Sequence, residues 1–113
     1  MPCKIINLEE GRPTVKAGLL HLERALFAAR AQGVSVLKLI HGYGSSGVGG
    51  ELRIEVRKAL DALQREGRIA TFISGEDFRL SHQASWELLK RDKSLKQDRD
   101  LGRANRGITM VIL

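Results

Sequence analysis

The run His41-Gly42-Tyr43-Gly44-Ser45-Ser46-Gly47 stands where an apolar stretch ends and a helical pattern begins, and five glycines fall within the nine residues Gly42 to Gly50. A strand, a glycine-rich turn and a helix start together aim backbone N–H groups at an anion such as phosphate. Glycine suits that turn because a side chain would hold the anion off the backbone and because such turns use positive φ. His41, at the strand end, is placed to donate a hydrogen bond to phosphate or to act as a general acid. The plainer alternative is a histidine that pins the loop through a backbone carbonyl. Gly42, Gly44 and Gly47 would form the phosphate cradle, with the hydroxyls of Ser45 and Ser46 as further donors. Tyr43, the single tyrosine, would either stack on a base or fold over the loop as a lid.

Arg53 and Arg57 follow at i, i+4 spacing near the start of the second helical pattern. Cations in a first turn oppose the helix dipole by about 0.3–1 kcal/mol each, a cost that a docked anion offsets. Glu51 and Glu55 offer a second way of balancing that charge. Lys58 reads as plain surface.

Four acids, Glu9, Glu10, Glu76 and Asp77, fall where the strands of the pattern end, and grouped carboxylates suit Mg²⁺ or Mn²⁺. Solvated turns and ion pairs with neighbouring arginines are the competing reading. His21, His41 and His82 show no zinc spacing, and the lone Cys3 builds neither a thiolate site nor an internal disulfide. Gly50 leads to Glu51-Leu52 rather than to Lys-Ser/Thr, which excludes a P-loop. A dinucleotide site would need a second mononucleotide unit that 113 residues do not hold.

The elements that must position these groups follow from periodicity. Lys4 to Leu8 reads as a strand, broken by 9–13. Thr14 is a helix N-cap, and Val15, Leu19, Leu22, Leu26 and Ala29 recur at helical spacing up to a stop at Gly33. Val34 to Ile40 is a second strand. Leu52, Val56, Ala59, Leu60 and Leu63 mark a second helix closed by Gly67. Arg68 to Ile73 and Gly107 to Leu113 are further strands. Ser81 to Arg91 reads as a short helix with Trp86 and Leu89 inward. Lys90 to Arg106 is polar, with seven basic and three acidic residues; Asp98, Asp100, Gly102 and Asn105 there suit turn hydrogen bonds. The order implies one α/β domain over 1–113. Right-handed crossovers then put both main helices on one face and gather the parallel strand ends, where such sheets bind ligands, at one edge.

Net charge is +6 and the pI is near 10.0. Residues 1–67 carry ten Lys/Arg against seven Asp/Glu, and 68–113 carry nine against six, so the excess is spread rather than held in a tail. Such a balance attracts polyanions at long range, with DNA or RNA the expected partner. No apolar run approaches the roughly 20 residues of a membrane span. The first residues show no export signal, which leads to the expectation of a cytoplasmic protein.

The His41 to Gly47 motif, followed by Leu52, Arg53 and Val56 and closed by Gly107-Ile-Thr-Met-Val-Ile-Leu113, resembles the signature of the Smr (small MutS-related) domain family. The resemblance covers nearly the whole chain and suggests a stand-alone member. It implies a two-layer α/β sandwich of βαβαββ order, similar to the C-terminal domain of translation initiation factor three. The sheet would be mixed and four-stranded, with the last strand antiparallel and interior. The family is associated with DNA or RNA binding, and several members are endonucleases. Nuclease-type members carry Leu-Asp-x-His at the end of the first strand, where this chain reads Ile6-Asn7-Leu8-Glu9. Asn7 cannot ionise, and a carboxylate at Glu9 cannot donate a proton as imidazolium can. The expectation is therefore a nucleic-acid-binding domain that holds the phosphate backbone with its glycine loop. One alternative is a Mg²⁺- or Mn²⁺-dependent endonuclease with His41 as acid and Glu9, or Glu76 with Asp77, supplying a metal ligand. The other is a module for a protein or a small phosphorylated ligand.

Overall fold

A computed structural model of the chain describes residues 3–11, 13–43 and 49–113. Strand β1 (Cys3–Asn7) leads to helix α1 (Val15–Ala31), then β2 (Val36–Ile40), α2 (Gly49–Arg65) and β3 (Thr71–Ser74). A single 3₁₀ turn (Gly75–Asp77), helix α3 (Gln83–Arg91) and a second 3₁₀ turn (Lys93–Gln97) then carry the chain back to β4 (Ile108–Ile112). Thr14 caps α1 as its sequence suggests, its hydroxyl accepting from Ala17 N at 3.1 Å. Gly33 and Gly67 take φ of +73° and +74° just past the two long helices, a left-handed conformation that glycine adopts without a Cβ penalty.

The four strands order as β1-β2-β4-β3. β1 runs parallel to β2, with Cys3 opposite Val36 and Asn7 opposite Ile40. β4 lies antiparallel between β2 and β3, Ile108 opposite Ile40 and Thr109 opposite Ser74. Both strand–helix–strand units pack their helices on one face: Leu22, Leu26 and Ala29 of α1 and Leu52, Val56 and Leu60 of α2 share a core with Leu37, Leu39 and Val111. On the opposite face Val36, Ile73, Met110 and Ile112 meet Phe78, Leu88, Leu89 and Leu95 of the long connection. β2 and β4 are thus covered on both faces, which is why each reads as a nearly unbroken apolar run.

Trp86 corrects one expectation. Leu88 and Leu89 face inward, but Trp86 is 45% exposed. Ser85 takes the inward position instead, fully buried and donating its hydroxyl to Asp77 O at 2.7 Å. With 85, 88 and 89 on the core stripe, residue 86 points about 100° away from it.

Lys38 breaks the apolar run of β2 and is buried on the face covered by the connection. Its ammonium lies 2.9 Å from Asp98 Oδ1 and 2.6 Å from Asp100 Oδ2. Burial works to lower the Lys38 pKa, yet the hydrogen bonds to Asp100 and Asp98 outweigh it and hold it above the ordinary lysine value. Burial likewise works to raise Asp100, and the bond from Lys38 outweighs it and holds that carboxyl below its ordinary range. Asp98 Oδ1 also accepts from Asp100 N, and Asp100 Oδ1 accepts from Asn105 Nδ2, so the turn bonding expected of these residues coexists with an ion triad.

Removing one partner of a buried pair strands the other charge, at a cost of about 3–5 kcal/mol. Lys38→Met leaves two facing carboxylates, so its urea midpoint is expected to fall by that equivalent. A midpoint within error of the parent would remove the triad from the forces that hold the connection.

Candidate nucleic-acid interface

The carboxyl ends of β1, β2 and β3 meet at one edge, together with the start of β4. His41 continues β2 there and is fully buried. Its Nδ1 lies 2.7 Å from Gly42 O and its Nε2 lies 2.8 Å from Thr109 Oγ1. A carbonyl can only accept, so Nδ1 carries the proton and Nε2 of the neutral ring accepts from the Thr109 hydroxyl. Arg57 Nε–H donates in turn to Thr109 Oγ1 at 3.2 Å. The same guanidinium grips Glu76 with two bonds of 3.0 and 2.8 Å and reaches Ile108 O at 3.2 Å. A single chain of hydrogen bonds therefore runs Glu76, Arg57, Thr109, His41, Gly42.

Desolvation by burial is the main reason the His41 pKa drops from 6.5 to about 4; the nearby Arg57 and Arg53 charges push the same way, against the bond to Gly42. At neutral pH the ring is uncharged with both nitrogens engaged. This is the loop-pinning arrangement, and it leaves the imidazole no proton to deliver to a ligand. Arg57, whose spacing suggested a phosphate contact, is committed to Glu76 and the β4 backbone. Its bonds likewise hold the Glu76 carboxyl below the ordinary range, against the opposing effect of burial.

Gly42 also has an internal role. His41 N and Gly42 N both donate to Gly107 O, at 3.0 and 3.1 Å, so neither amide is free for an anion. Gly42 has φ +75°, and a Cβ built there would fall 2.5 Å from Glu9 Oε1. The left-handed φ is what favours glycine here, and the Glu9 carboxylate takes up the space a side chain would fill. Asn7, in the family acid's place, accepts from Glu9 N at 3.0 Å and shapes the turn after β1. Glu10 is exposed. Asp77 pairs with Arg79 at 3.0 Å. Among the described residues no three His, Cys, Asp or Glu side chains come together as a metal site. Burial pushes the Cys3 thiol up to about 11, far from a thiolate nucleophile at neutral pH.

Gly44, Ser45, Ser46 and Gly47 lie outside the described residues. Two expected contacts remain unspent beside them. Tyr43 is 47% exposed, with the Arg106 guanidinium 5.2 Å over its ring. Arg53, in the first turns of α2, is 4.0 Å from Glu76 Oε2, and its Nε is buried with no hydrogen-bond partner among the described residues. Thr109, Asn105 and Lys38 were the groups that sequence reasoning missed as parts of this edge. Their signal was available: Thr109 is the one hydroxyl, and Lys38 the one charge, in otherwise apolar strands.

No protein-family model matches the chain. The fold nonetheless superposes on the crystal structure of the Smr domain of Thermus thermophilus MutS2 with a TM-score of 0.58. That likeness covers 97% of this chain and 96% of the other at 29% identity. With its glycine motif and strand order, the chain is an Smr domain. Over 59 residues, 52% of the chain, it is 42% identical to the endonuclease MutS2 of the same organism. The chain spans only 7% of that relative's length. No helix among the described residues is long and apolar enough to cross a membrane.

The buried imidazole links pH to stability. The unfolded chain protonates His41 near pH 6.5, whereas the folded protein does so only near 4. Stability is therefore full above about 6.5 and falls as pH drops toward 4. Urea midpoints are expected to decline across that window, and the decline should shrink in His41→Gln. Carbon-13 shifts of the His41 ring should stay flat between about pH 5.5 and 8; a titration centred near 6.5 would contradict the buried neutral ring.

Proposed function

We propose that this Smr domain binds nucleic acid through its phosphate backbone and does not cut it. Supporting the reading are the net charge of +6 and the likeness to a domain of a MutS2 protein. The observation that carries it is Arg53. A guanidinium N–H buried without a partner costs about 1–3 kcal/mol or more, and this one lies in the first turns of α2 beside the glycine run. A phosphate oxygen arriving at the exposed part of that guanidinium would let the side chain re-pair and would also complement the helix N-terminus. Gly44, Ser45, Ser46 and Gly47 remain the proposed cradle on their sequence, while Gly42, His41 and Arg57 hold the frame behind it.

The endonuclease alternative draws on the name of the curated relative, a MutS2 endonuclease. Against it stand Asn7 in the place of an acid and a His41 that is neutral and spent at both nitrogens. Glu76 is held by Arg57 and Asp77 by Arg79, and a hard cation wants several oxygen ligands.

Two measurements separate these readings. Retention on oligonucleotides is expected at low salt, with log affinity falling linearly against log salt, and Arg53→Gln is expected to weaken it about tenfold, the worth of one charged hydrogen bond. Absence of retention on single-stranded, duplex and branched substrates would end the proposal. Incubation with Mg²⁺ or Mn²⁺ is expected to leave labelled RNA and DNA intact. Cleavage lost in Glu9→Gln would instead establish the nuclease.

A further inference from the structure

Between residues 90 and 106 the sequence places seven cations and three acids, which on paper nearly offset one another. The fold separates them. Asp92 and Asp100 are buried and Asp98 is half-buried. Asp92 accepts from Ser94 N at 3.0 Å at the start of the second 3₁₀ turn, and Asp98 and Asp100 hold Lys38. All seven lysines and arginines are exposed, and none forms an ion pair among the described residues. A segment of modest formal charge thus exposes seven cations without ion-pair partners among the described residues.

A groove of about 540 Å³ borders that surface. Ile5, Ile40 and Ile108 contribute apolar lining, Tyr43 and Glu9 line it from the β1 and β2 ends, and Arg99 lines it from the connection. Ile5 is 61% exposed, so this part of the sheet is left uncovered by α3. Asp98 and Asp100 also line the groove, but their oxygens are engaged with Lys38, Asp100 N and Asn105. Glu9 places a carboxylate beside Gly42 that no other side chain among the described residues pairs, an acceptor for ring or exocyclic N–H groups.

We propose that the β3–β4 connection and this groove form a track for single-stranded nucleic acid, with phosphates on Arg99, Arg103 and Arg106 and one unstacked base in the groove against Tyr43. The inference rests on the nucleic-acid reading above and names the form of the ligand. Charge complementarity selects a polyanion. An apolar groove with an aromatic side chain and a hydrogen-bond acceptor selects a splayed base, because the bases of a duplex are stacked and paired out of reach. Arg106 over the Tyr43 ring holds the aromatic in place and adds a cation beside it.

Fluorescence anisotropy with labelled single-stranded and duplex oligonucleotides of equal length tests the track. The single strand is expected to bind more tightly. Arg99→Ser with Arg103→Ser should weaken it at least tenfold and lower the salt slope by about 1.4, from roughly 0.7 per phosphate on single strands. Tyr43→Ala should cost roughly 5- to 100-fold on the single strand with the slope unchanged. Circular dichroism and urea midpoints identify variants that fail to fold, and Tyr43→Phe, which keeps the ring, is expected to restore binding. Tighter duplex binding, displacement of the oligonucleotide by polyglutamate of equal charge, or unchanged affinity in the double arginine variant would overturn the inference. If Arg53→Gln weakens binding while the double arginine variant and Tyr43→Ala do not, the nucleic-acid reading stands and the track alone fails.

Discussion

Gly107 O receives both the His41 and the Gly42 amide, and the edge where the strand ends gather depends on that convergence. β4 must insert antiparallel between two strands that run the other way, and it arrives after a connection of more than thirty residues. The hydrogen-bond chain from Glu76 through Arg57 and Thr109 to His41 locks its first residues against the end of β2. Such a buried polar network rewards full satisfaction and penalises a missing member. His41 illustrates the exchange: burial removes its proton, and two short bonds replace its water.

The same convergence explains why a histidine and an arginine with the look of active-site groups are structural. Arg57 has its donors divided between Glu76, Thr109 and the β4 backbone, while Arg53, one turn earlier on α2, keeps a buried N–H unmatched. Two arginines four residues apart therefore do different work because only one of them reaches the carboxylate squarely. Glu9 places its carboxylate beside Gly42.

Much of the architecture was legible because it rests on short-range signals. Thr14, Gly33 and Gly67 mark the helix ends through capping and positive φ, and the apolar periodicity of α1 and α2 identifies their buried faces. The glycine motif and the closing apolar strand identified the Smr domain. The polar partners were less legible, because they join residues far apart in sequence: His41 to Thr109, Arg57 to Glu76, Lys38 to Asp98 and Asp100. Periodicity assigns a face to each residue but says nothing about which groups meet. Trp86 went wrong for a related reason, since the hydroxyl of Ser85 claimed the inward position through a bond to Asp77 O that no hydrophobic pattern contains.

A buried, structural His41 frame behind an outward contact surface has a direct spectroscopic consequence. Titrating isotope-labelled protein with a single-stranded oligonucleotide, and following backbone amides, the Arg53 Nε–H and the His41 ring together, separates frame from surface in one experiment. Shifts are expected at Tyr43, at Arg53 Nε–H and through residues 99–106, with the His41 ring nitrogens unmoved. Large changes at the His41 ring, with residues 99–106 silent, would contradict it.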